Sequence, residues 1–395
     1  MNLVDRILRL AWDYREETAQ NLSRLVRIKS LSTKEEAVQK ELLRLMEPLN
    51  LDELRIDGLG NVIGRLGDGK RVLALDAHMD TVDAGNVENW DFDPFSGKIE
   101  GGFVCGRGTV DQKGGAASFL TTAKILKEIG LQGNEVTLYF VGSVIEEDCD
   151  GLCWKYLIEK EGIRPDLVIC TEPTDGKIHR GHRGRMEMEV TFRGISAHGS
   201  APERGKNAIY MASEACLQIR ALNGRLSTDP FLGKGSVTVT EFVSRSPSLC
   251  AVADYAKIHI DRRLTLGETK ESALREIREI VQPLEGEVRV PYYEEIAYTG
   301  LRYGMEKYYP TWMLPEDHPA LKKAKEVYVS LFHSDPIVDK WTFSTNAVTI
   351  QGLYGIPVIG YGPGNEALAH APNEKVPIDD LVKASAFYAL FACQF

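Results

Sequence analysis

Apolar side chains change their spacing several times along the chain, and each change marks an element. Leu3, Ile7, Leu10, Tyr14, Leu22, Leu25 and Val26 recur at helical intervals, which predicts helix within the first 28 residues. A second helix is predicted over Glu36–Leu49. Arg71–Ala77 is instead a short, nearly continuous apolar run, as expected of a strand covered on both faces. Glu135–Val144 and Asp166–Cys170 read the same way, and an Ala- and Leu-rich helix, Gly114–Ile129, precedes them. Helices alternating with buried strands predict an α/β fold, with a mostly parallel sheet and helices on both faces.

The pattern changes after Arg183. Arg185–Arg193 alternates polar and apolar residues, as a strand with one wet face does. Asn207–Leu222 is helical, Ser236–Val243 and Asp254–Leu264 alternate again, Glu268–Leu284 is helical, and Glu287–Tyr293 is a strand. This β-α-β-β-α-β order predicts a small sheet with two helices on one face. Its other face is left wet or open to pairing. Helix and buried strand then return at Pro319–Phe332, Ile356–Tyr361 and Ile378–Phe391. The expected architecture is an α/β domain of residues 1–183 and 294–395, interrupted by an inserted α+β domain of residues 184–293. There is no internal repeat.

Composition narrows the function. The chain has 395 residues, 43% hydrophobic and 26% charged, which is globular rather than disordered. Apolar stretches fall far short of the ~20 residues a bilayer span needs. The N-terminus has an early acid, Asp5, and no long apolar core, so it does not read as a signal peptide. A net charge of −10 argues against a nucleic-acid partner. Seven cysteines without a Cys-x-x-Cys pair point to small buried hydrophobes in a reducing cytoplasm.

Metal-type side chains cluster after predicted strands. His78 and Asp80 follow the first strand, Glu146 and Glu147 the second, and Glu172 the third. In open α/β sheets, ligands bind beyond the carboxyl ends of strands. Asp111 lies within a Gly-rich turn, Gly106–Gly115, where an acid would repel phosphate. His370 lies in a turn-rich segment, Gly362–Glu374. Histidine nitrogen and carboxylate oxygen suit zinc, and a bridging carboxylate suits a pair of metals. Asp80, two residues past His78, is expected to accept the second ring N–H of that histidine. Neighbours on extended backbone point oppositely, so Glu147 can face metal while Glu146 faces water as general base.

The motifs His78-Met79-Asp80-Thr81-Val82, Gly106–Gly114, Glu146-Glu147, Thr171-Glu172-Pro173, Gly194–Pro202 and Ala369-His370 resemble the dinuclear zinc peptidase and deacylase family. That family includes acetylornithine deacetylase, succinyl-diaminopimelate desuccinylase, aminoacylase and the glutamate carboxypeptidases. Within it the chain looks closest to a hydrolase subgroup named for a link to selenium metabolism. The resemblance runs from about Gln20 to the C-terminus. It implies His78, Asp111 and Glu172 on one metal, Asp111, Glu147 and His370 on the other, Glu146 as base, and a cis peptide after Asp111. It implies two divalent ions, zinc foremost, with cobalt or manganese accepted by the same donors. The inserted domain becomes a lid and homodimerisation domain. Its His198 donates to the oxyanion, across the dimer, and its Arg263 binds a substrate carboxylate.

Two segments depart from the family pattern. Thr342–Val348 lacks the arginine of many relatives and carries an amide, Asn346, in place of an acid. Ser246–Val252 lacks the Asn-x-x-Pro of the lid. With His179, near the hinge, Asn346 is a candidate substrate contact. The activity implied is hydrolysis of the amide C–N bond of small N-acyl, N-carbamoyl or related amino-acid derivatives. The alternatives are a di- or tripeptide exopeptidase and, remotely, a non-catalytic binding protein.

Overall fold

The computed structural model describes residues 2–131 and 136–395. Glu135, where the second predicted strand begins, lies outside them. The N-terminal helical pattern is two helices, α1 (Leu3–Asp13) and α2 (Arg15–Val26), broken at Tyr14 with ψ near 4°. Spacing alone carries both helices through this break, because a bend leaves the apolar period almost intact. The next helices are α3 (Glu36–Met46), α4 (Lys113–Ile129) and α5 (Leu152–Glu159); α5 is not predicted from the sequence.

One eight-stranded sheet organises most of the chain. Its order is Glu53–Ile56, Val62–Leu66, Val136–Ser143, Arg71–His78, Leu167–Cys170, Val358–Gly360, Ile178–His179, Val338–Asp339. The four strands from Val136–Ser143 to Val358–Gly360 run parallel. Antiparallel pairing brings in the first two strands and joins Ile178–His179 to Val358–Gly360. The strands at 53–56 and 62–66 escape sequence analysis because each carries an arginine in a short run.

Helices cover both faces, and two adjacent residues show how. A Cβ on Gly142 would meet Leu42 of α3 at 2.2 Å. On the same strand, Phe140 lies 5.8 Å from Phe119 of α4. Ser143 points the other way and bonds Asp76 and Asn346, and Asn346 also accepts from Gly151 at the start of α5. Alternation along a strand puts these partners on opposite faces.

The segment 184–293 builds a second, antiparallel sheet: Ser236–Arg245, Tyr255–Leu264, Gly184–Arg193 and Gly286–Arg289. Met186, Met188, Val190, Phe192, Ile258 and Ile260 form its core with α6 (Ala208–Leu222) and α7 (Lys270–Val281). The predicted strand Glu287–Tyr293 stops at Arg289, because Pro291 has no N–H to give a ladder. Tyr292–Tyr293 pairs instead with Met305–Glu306. Tyr308–Tyr309 pairs with Gly184–Arg193, so this sheet draws on chain beyond residue 293.

Helices α8 (Pro319–Phe332) and α9 (Ile378–Gln394) complete the larger part, with α9 packed on α4. Cys105, Cys149, Cys153 and Cys170 are buried as expected, but Cys216 and Cys393 are only half-buried and Cys250 is exposed. Among the described residues no helix is long and apolar enough to cross a membrane.

Candidate metal centre

Three parallel strands end at one edge and hand over their next residues there. His78 closes its own strand, Glu146 and Glu147 follow Ser143, and Glu172 follows Cys170. Asp111 comes from the turn before α4, where the Asp111–Gln112 peptide is cis. His370, with φ 59°, comes from the loop before α9.

Two triads result. His78, Asp111 and Glu172 bring ligand-type atoms within 4.8 Å of one another, and so do Asp111, Glu147 and His370. Asp111 is shared: Oδ1 lies 2.8 Å from His78 Nε2, and Oδ2 lies 3.3 Å from His370 Nε2. His78 Nε2 is 3.5 Å from Glu172, and His370 Nε2 is 2.9 Å from Glu147. Glu146 Oε2 stands 3.8 Å from His78 Nε2.

The electrostatics are those of crowded acid. Burial raises the pKa of Glu146, Glu147 and Glu172, and neighbouring carboxylates raise it further. Hydrogen bonds to Asp111 and then Glu147 lift His370 to about 10. Burial pulls His78 down, but Glu146, Asp111 and the other acids outweigh it and hold it well above its ordinary value. Glu146 Oε1 and Glu172 Oε2 are buried without any hydrogen-bond partner. Buried acceptors of this kind are costly unless a cation or donor meets them. Nitrogen and carboxylate donors in two groups sharing one carboxylate therefore fit a pair of divalent metals.

Asp80 serves the site differently from its expected role. Its carboxylate is 3.6 Å from His78 Nδ1, whereas its backbone carbonyl is 2.9 Å away and takes that contact. The carboxylate accepts instead from the amides of Glu146 (3.2 Å) and Glu147 (3.1 Å) and from Ser32 Oγ (2.6 Å).

A cavity of about 350 Å³ opens on the triads, lined also by Asp150, Arg185, Arg263, Ser344 and Glu366. Arg263 is thus at the cavity, braced on Asp261 at 2.8 Å. Asn346 is not, which corrects its candidacy as a substrate contact. Its amide is spent on Asp76, Ser143, Gly151 and Cys153 in the interior. His179 is corrected likewise: it is 2% exposed, edge-on to Trp341, and does not line the cavity. His198 is exposed in its loop, where Ser200 bonds its Nδ1, and it too lies outside the cavity lining.

Sequence reasoning missed the group that ties the two loops together. Glu374, wholly buried, accepts from the amides of Gly108 (3.0 Å), Val110 (2.8 Å) and Asp111 (3.1 Å). It also pairs with buried Arg107 at 2.7 Å, and Arg107 reaches the His370 carbonyl at 3.3 Å. Its only signal in the sequence is its position four residues past His370.

Two histidines and four carboxylates gathered in this way make the site of a metal-dependent hydrolase. The chain belongs to the family described as peptidase family M20/M25/M40, which matches residues 74–394. It is 50% identical over 385 residues to the uncharacterised protein YgeY of Escherichia coli (strain K12), covering 97% of this chain and 95% of that one. A "Probable succinyl-diaminopimelate desuccinylase" of Staphylococcus aureus (strain Mu50) is 39% identical over 153 residues, 38% of this chain and 37% of its own. The crystal structure of aminopeptidase PepT from Bacillus cereus superposes with a TM-score of 0.72 at 22% identity, covering 96% of this chain and 98% of the other. That likeness is one of fold.

Proposed function

We propose that this chain is an amidohydrolase that cleaves the amide C–N bond of small N-acyl, N-carbamoyl or related amino-acid derivatives. The observation that carries the proposal is the pair of triads sharing Asp111, with the unpartnered Glu146 carboxylate beside them in one cavity. His78, Asp111 and Glu172 would hold one divalent ion and Asp111, Glu147 and His370 the other, zinc foremost, with cobalt or manganese suited to the same donors. When bound, such ions supply Lewis acidity towards a carbonyl and a water. Glu146 takes the proton of the attacking water and returns it to the leaving nitrogen. Arg263 receives a substrate carboxylate as a charge-assisted bond, and His198 acts on the oxyanion of a partner subunit's site. The partial likeness to a desuccinylase supports a deacylase over an exopeptidase.

A panel of N-acyl amino acids, N-carbamoyl amino acids and dipeptides tests this proposal. Turnover should be lost with chelator and restored by added zinc, cobalt or manganese. Glu146→Gln should lower kcat by ~10²-fold or more; activity like that of the unmutated enzyme would overturn the mechanism. Turnover confined to dipeptides would favour the exopeptidase. Because His370 must give up a proton to ligate, metal uptake should release protons and weaken as pH falls. Calorimetry in two buffers of different ionisation enthalpy measures that release.

A further inference from the structure

Glu35, at the start of α3, is wholly buried and belongs to neither triad. Its Oε1 accepts from the amide of Thr33 at 2.9 Å and from the amide of Ile145 at 3.1 Å. Its Oε2 is buried with no partner. The carboxyl group thus serves one local turn and one amide 110 residues away.

Ile145 immediately precedes Glu146 and sits at φ 61°, a left-handed conformation that β-branched residues rarely adopt. Such backbone persists only where its surroundings over-determine it. Here four consecutive amides are each received by a side chain. Val144 donates to Asn61 at 3.1 Å, Ile145 to Glu35, and Glu146 and Glu147 to the two oxygens of Asp80. Asn61 is itself held by Asp57 at 2.7 Å. Three separate elements therefore pin the turn from which the general base projects.

We propose that Glu35 is a positioning residue for Glu146, holding the Ile145 amide, and with it the left-handed turn at Ile145, so that the carboxylate of Glu146 faces the cavity. This rests on the assignment of Glu146 as base. What the turn needs from Glu35 is an acceptor at Oε1, not a charge. Burial followed by the charge of Asp80 raises Glu35 to about 8, in keeping with a neutral group there.

Two conservative variants separate reach from charge. Glu35→Gln keeps the acceptor, whereas Glu35→Asp keeps the acid but withdraws it by one methylene. On an N-acyl amino acid that the unmutated enzyme turns over, kcat of Glu35→Gln should stay within ~2-fold. That of Glu35→Asp should fall ~10-fold or more with KM nearly constant. A purely structural role would move the melting temperature and leave kcat of the folded protein alone. The reverse order, or two variants with unchanged kcat, overturns the inference. Glu146→Gln assayed alongside distinguishes the two claims. If it stays active, the base assignment fails; if it is dead while Glu35→Asp is unimpaired, only the positioning role fails.

Hydrogen exchange on the unmutated protein checks the premise of the proposal, the bond from the Ile145 amide to Glu35, without substrate or variant. The amides of Val144 to Glu147 should exchange slowly, as one block. An Ile145 amide that exchanges as fast as exposed loop amides overturns the proposal.

Discussion

Asp76 is a carboxylate with no exposure, and burial raises its pKa. It is tolerated because Ser143 Oγ at 2.8 Å and Asn346 Nδ2 at 2.9 Å donate to it. Asn346 also accepts from Gly151 and Cys153, so its side-chain amide links three segments beneath the metal-bearing edge. Asn346→Ala should destabilise the fold by about 1–3 kcal/mol, the cost of leaving buried partners unpaired. Asn346→Asp, which sets a second carboxylate beside the first, should cost more. Denaturant unfolding measures both. The family resemblance read Asn346 as an amide in place of an acid, which made it look like a specificity residue. Its hydrogen-bond partners show that it supports the sheet from within.

At the scale of elements, two devices hold the cavity walls. The first is Glu374, which clamps the Asp111 turn to the His370 loop through three amides and Arg107. Glu374→Ala strands a buried guanidinium and should cost ~3–5 kcal/mol, together with metal capacity at both triads; unfolding curves and metal analysis read the two effects. The second is the Ile178–His182 segment, which carries two buried histidines beside Trp341; His182 Nε2 accepts from the amide of Thr345 at 3.1 Å, next to the cavity residue Ser344. Burial lowers His179 to about 3 and His182 to about 4. Both folded values lie below the unfolded value near 6.5. The unfolded chain therefore binds more protons in this window, and stability must fall as pH drops from about 6.5 towards 4. Each histidine should contribute a slope of up to about 1.4 kcal/mol per pH unit. Removing one, as in His179→Phe, should flatten the acid limb of a stability profile.

At the scale of the molecule, His198 is proposed to act in the site of a second subunit; it is exposed and outside the cavity lining of its own chain. The strand Ser236–Arg245 forms an edge of the smaller sheet, and Tyr210 and Leu217 of α6 are exposed. A homodimer through this part is expected, and light scattering measures it. Mixing inactive Glu146→Gln with inactive His198→Ala should restore turnover, since each mixed dimer would hold one intact site; no recovery would place His198 outside the partner's chemistry. The periodicities of the chain determined the α/β class, the buried parallel strands and the alternating small sheet, because burial on one or two faces writes itself directly into residue order. His78, Glu147 and Glu172 were legible for a similar reason: strand ends deliver side chains to a predictable edge, and few side chains bind metal; the grouping into two triads, with Asp111 shared and His370 brought in from a loop, was implied by the family resemblance. Tertiary structure alone decided that Asp80 grips the Glu146–Glu147 amides, that Asn346 and His179 turn inward, and that Glu374 and Glu35 hold the loops of the site. The roles of Asp80, Glu374 and Glu35 depend on which backbone amide lies within hydrogen-bond reach, 2.8 to 3.2 Å, of a carboxylate from a segment far away in sequence. Amides are the same at every residue, so no pattern of side chains along the chain can record that pairing.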